Sequence, residues 1–69
     1  MIMEYIEKYL GKYVKVFCTD GIEVVGLFVG YDRPGDNGEE EWTIVIKGKY
    51  SGETEIMESE IEHIEESGA

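Results

Sequence analysis

The chain is poor in cysteine, proline, histidine and positive charge. Among its 69 residues there are one Cys, one Pro and one His, with six Lys plus Arg against sixteen Asp plus Glu. One cysteine excludes an intramolecular disulfide and suits a reducing compartment, so the cytoplasm is the expected location. One histidine and one cysteine cannot supply the three or four ligands of a zinc site. No apolar run approaches the ~20 residues that span a bilayer, and Met1-Ile2-Met3-Glu4 carries no positive n-region. Neither a membrane span nor a signal peptide is expected. The formal net charge of -10 opposes nucleic-acid binding, which draws its affinity from phosphate neutralisation. The imbalance is steepest at the end, where seven Glu and no Lys or Arg follow Gly52.

What is present is regular patterning on the scale of one domain, residues 1–69. Such a short chain buries only about 60% of its unfolded surface, so its core is marginal alone. With no disulfide available, oligomerisation is the expected support. Ile2, Ile6, Tyr9 and Leu10 recur at helical spacing and Gly11 follows as a stop, which predicts a helix over 2–10. Val14, Val16 and Cys18 alternate with Lys15 and Phe17, the period of a strand. Further strands are expected at about 22–31, 42–47, 53–57 and 60–65, separated by Thr19-Asp20-Gly21, a polar loop from Asp32 to Glu41, and a hairpin around Ser51-Gly52. Gly26 and Gly30 lie inside the second strand, where a small barrel has to bend. The end has a second reading: Ser59 with Glu62 has the form of a capping box, which would start a short helix instead. The fold class is mainly β: an N-terminal helix, then a five-stranded, strongly bent antiparallel small barrel.

The stretch Gly11, Val14, Val16, Cys18, Asp20-Gly21, Val24, Gly26, Phe28, Gly30, Tyr31-Asp32 resembles the first motif of the Sm/LSm family. Residues 56–64 look like that family's short turn between its last two strands. The resemblance implies an Sm-like barrel whose subunits join edge strand to edge strand, commonly as a ring. It implies structural roles for Gly11, Asp20, Gly21, Gly26, Gly30 and Asp32, and turn chemistry adds Gly38 and Gly52. Val14, Val16, Cys18, Val24 and Phe28 are the expected core face. Two departures stand out. RNA-binding members place an aromatic or His, then an Asn, shortly after the motif's Asp; here Arg33-Pro34-Gly35 follows Asp32. Such members carry Arg-Gly or Lys-His at the final turn; here Glu58, Ser59 and Glu60 stand there. The stacking and cationic contacts that such a base pocket needs are therefore not carried over.

The outward positions of the second strand, Val25, Leu27 and Val29, are apolar where a solvated face would be polar, and Phe17 matches them on the neighbouring strand. Such a patch either meets another subunit or partner protein, or lies under the N-terminal helix. Lys47 and Lys49 are the only basic pair in the second half, the place for any nucleic-acid contact. The acids Asp32, Asp36, Glu39, Glu40 and Glu41, with Asn37, lack the order of a calcium loop. A half-buried or surface His63 and a core Cys18 are expected, with no base arranged to activate the thiol. No catalytic constellation, metal site or cofactor motif is read. The expectation is a non-enzymatic Sm-like assembly or interaction module, self-associating as ring or dimer and meeting protein partners. A specialised RNA binder and a monomeric SH3-like binding module are the alternatives.

Overall fold

In the computed structural model, residues 2–36, 38 and 40–68 are described. The order is α1 (Ile2–Tyr9), β1 (Tyr13–Cys18), β2 (Glu23–Asp32), β3 (Thr43–Lys47), β4 (Glu53–Met57), a 3₁₀ turn (Glu58–Glu60) and β5 (Ile61–Glu66). All strand pairs are antiparallel, in the spatial order β4-β3-β2-β1-β5. The fold is mainly β, a helix followed by one five-stranded sheet, as the patterning predicts. Boundaries move by a residue. The helix ends at Tyr9, β2 begins at Glu23 because Ile22 belongs to the turn, and β3 begins at Thr43.

β4 and β5 lie at opposite edges of the sheet, yet only residues 58–60 connect them. Three residues span at most about 10 Å, so the sheet has to roll until its two edges approach at that end. That constraint gives the small-barrel shape. Every strand then turns an apolar face inward. Val14 and Val16 of β1, Phe28 of β2, Ile44 and Ile46 of β3, Ile56 of β4 and Ile64 of β5 are buried together. The helix adds Ile2, Ile6 and Tyr9, spaced to share one face, to the same core. Cys18 and Val24, expected in this core, only pack against its rim and stay half-buried. They lie at the end of the sheet where β3 no longer covers β2 and β1 runs into its turn.

Two bulges set the bends. In β2 the partners of Phe28 and Gly30 are consecutive residues of β3, Ile46 and Val45, so Val29 is the extra residue. In β5, Ile61 lies opposite Cys18 and His63 opposite Phe17, so Glu62 is extra. This second bulge resolves the ambiguous end. Ile61 and Ile64 are three apart, a helical spacing, but the inserted residue lets both face the core from one strand. The Ser59–Glu62 capping box does not form. Instead the Glu60 carboxylate accepts a bond from the Met57 N–H at 3.0 Å, and the turn lasts three residues before β5 begins.

The turns follow their sequences. Gly11, Gly21 and Gly38 take positive φ, and an Asp20 carboxylate oxygen accepts from the Ile22 N–H at 3.0 Å. Asp36 N–H bonds to Arg33 C=O across Pro34 and Gly35, with Gly35 at φ 90, the requirement of a type II turn. Gly52 departs from expectation: its φ is not positive and a Cβ there meets open space, whereas a Cβ on Gly48 in the same hairpin would meet Ser51. No helix among the described residues is long and apolar enough to cross a membrane.

Candidate interaction surfaces

The convex face of β1 and β2 carries the apolar residues singled out above. Tyr13 lies opposite Leu27, Lys15 opposite Val25, and Phe17 opposite Glu23. Val25 is 51% exposed and Val29 41%, whereas Leu27 and Phe17 are half-buried. The helix does not cover this face, since Ile2, Ile6 and Tyr9 enter the core on the other side of the sheet. Phe17 is set apart from the others. Its ring stacks on His63 with centroids 5.7 Å apart, and the Lys15–Glu23 ion pair at 3.6 Å runs beside it. Val25, Leu27 and Val29 form the continuous part, with Val29 raised on its bulge.

Lys47 and Lys49 fall at the β3–β4 hairpin. Lys47 ends β3 opposite Glu53, so a carboxylate is its cross-strand neighbour. Lys49 Nζ lies 6.0 Å from the Tyr50 ring, and Tyr50 is 94% exposed. The hairpin is closed by Gly48 N–H donating to Gly52 C=O at 3.2 Å. Two cations and one ring thus stand at the tip, with an acid at its base.

Among the described residues no three His, Cys, Asp or Glu side chains form a metal-sized group; Asn37 and Glu39 lie outside the described residues. Asp32 ends β2 opposite Thr43. Glu41 has a structural task instead. Its carboxylate accepts from the Ser59 N–H at 2.7 Å and from the Ser59 hydroxyl at 3.1 Å, which ties the loop to the 3₁₀ turn. Nothing in composition signals this pairing, because the partners are 18 residues apart.

Cys18 and His63 are on opposite faces. His63 stacks on Phe17, and its Nε2 lies 3.1 Å from Glu65 Oε2 on the convex side. Cys18 packs at the core rim. Burial pushes its thiol pKa up, and the negative charges of Asp20 and Glu60 push it further. A thiol kept protonated is a poor nucleophile.

One surface escaped the sequence reading. An open cleft of about 250 Å³ lies between the β1–β2 turn and β4. Cys18, Val24 and Ile56 form its apolar floor, Asp20 and Glu60 stand around it, and Glu55 lies on the bordering strand. Its parts come from two distant stretches of chain, residues 18–24 and 54–60, which only the rolled sheet brings together. No protein-family model, curated protein or solved structure matches the chain.

Proposed function

We propose that the chain is a non-enzymatic, Sm-like assembly module that self-associates and meets protein partners. The observation that carries this reading is the convex patch of Val25, Leu27 and Val29, left open by the helix that could have covered it. Exposed aliphatic side chains such as Val25 and Val29, with half-buried Leu27 between them, cost solvation that a second protein surface removes, at roughly 25 cal/mol per Å². The small core adds to the argument, since a chain this short gains proportionally most from burying surface between copies. No cofactor or metal enters the reading, and the single free thiol suits a reducing cytoplasm.

The test is mass in solution by size-exclusion chromatography with light scattering. A dimer, or a closed ring of about five to seven copies, is expected for the parent chain. Val25→Glu with Leu27→Glu is expected to give a folded monomer. A monomeric parent would instead favour a stand-alone SH3-like binding module. A second reading, RNA contact through Lys47 and Lys49, draws support from the exposed Tyr50 ring beside them. It requires that low-salt filter binding weaken in Lys47→Ala/Lys49→Ala.

A further inference from the structure

We infer that the free edge of β4 is a docking site for a lysine- or arginine-bearing extended segment of another protein, which adds as a sixth strand and lays a cationic side chain in the adjacent cleft. The inference rests on the chain being an interaction module, and it requires that any self-association run through the convex patch and leave this edge free. β4 is an edge strand, paired with β3 alone. The bonds flanking that ladder give its phase: Gly48 N–H to Gly52 C=O at one end, Glu58 N–H to Trp42 C=O at the other. Alternation in an antiparallel pair then puts Thr54 and Ile56 in bonded pairs with β3. The N–H and C=O groups of Glu53 and Glu55 consequently point outward. The next outward N–H, that of Met57, is already held by Glu60. An edge of this kind is a template for strand addition.

Charge selects the occupant. Asp20 and Glu60 border the cleft beside this edge, each accepting one backbone N–H, and Glu53 and Glu55 add carboxylates on the outward face of the strand itself; among the described residues no Lys or Arg forms an ion pair with Asp20, Glu55 or Glu60. The floor of Cys18, Val24 and Ile56 suits the aliphatic stem of a long cationic side chain, while the carboxylates meet its head. A second copy fits less well. Its own free edge, β5, carries Glu62, Glu65 and Glu66, and like charges placed opposite one another destabilise a strand pair.

The probe is a synthetic peptide of alternating Lys and Val, about eight residues long, the scale of a strand. It is titrated into the intact 15N-labelled protein. Saturable shifts are expected at the Glu53 and Glu55 amides and at Asp20 and Glu60, with slowed hydrogen exchange at Glu53 and Glu55. Glu55→Pro removes one outward donor while leaving the β3 ladder intact, and Glu53→Lys/Glu55→Lys reverses the local charge. Each is expected to weaken the peptide at least about tenfold, which is 1.4 kcal/mol. A peptide with Pro for every Val, unable to add as a strand, is expected not to bind; equal binding would mean charge alone and overturn the proposal. So would shifts mapping to β5, or unchanged affinity in Glu55→Pro. Concentration-dependent protection of Glu53 and Glu55 without peptide would give the edge to a second copy, also overturning it. The monomeric Val25→Glu/Leu27→Glu variant is expected to bind the peptide normally, which separates this inference from the self-association reading.

Discussion

Gly26 sits where β2 passes closest beneath β3. A Cβ there would run into the Lys47 carbonyl oxygen and lie 2.9 Å from Ile46 Cγ2. Backbone cannot yield as a flexible side chain can, so Gly26→Ala is expected to cost about 1–3 kcal/mol as overpacking. Gly52→Ala meets no atom and no positive φ, and is expected to stay within about 0.5 kcal/mol of the parent. Urea midpoints of the two variants check the contrast. Cys18 gives a third expectation. Burial, Asp20 and Glu60 raise its pKa in the folded chain, so the folded state keeps the proton longer than the unfolded one. Stability is then lost as pH rises from the ordinary thiol value, about 8.5, through the raised one. Wild type is expected to lose stability relative to Cys18→Ala over that window, measured by urea titration at stepped alkaline pH.

At the scale of elements, the 3₁₀ turn decides how the barrel closes. It joins opposite edges of the sheet in three residues, and it is held by Glu41 from the far end of the acidic loop. Glu41→Ala is expected to cost about 1 kcal/mol, the scale of a net hydrogen bond, with faster hydrogen exchange at Ser59 as the specific readout. The same loop contains Gly38 at φ 88, and Gly38→Val is expected to cost roughly 1–2 kcal/mol, read as a lowered melting temperature. The helix and β1 were legible from periodicity because their apolar residues recur at one simple spacing. β5 was not, because its bulge puts Ile61 and Ile64 on one face at a helical interval.

For the whole molecule, two surfaces carry the proposals: the aliphatic side chains on convex β2 and the β4 edge with its acidic cleft. The first was visible as Val25, Leu27 and Val29 in a strand that ought to alternate. Phe17 was grouped with them on the same grounds, but the register puts Glu23 opposite it and His63 against its ring. The cleft was invisible because its two sides, residues 18–24 and residues 54–60, are far apart in sequence. Mass in solution for the parent and for Val25→Glu/Leu27→Glu decides whether the first surface joins copies. The peptide titration decides what the second accepts.

The amino-acid sequence by itself determined the element order, the inward Val14, Val16 and Phe28 of β1 and β2, and the strong acidity of the last third. Those depend on local spacing and composition, which act within a few residues. Tertiary structure alone decided that β4 and β5 lie at opposite edges, that Val25 and Val29 stay uncovered, and that Asp20 and Glu60 meet over an apolar floor. Those depend on strand pairing between distant segments, where a single inserted residue such as Val29 or Glu62 redirects every side chain beyond it.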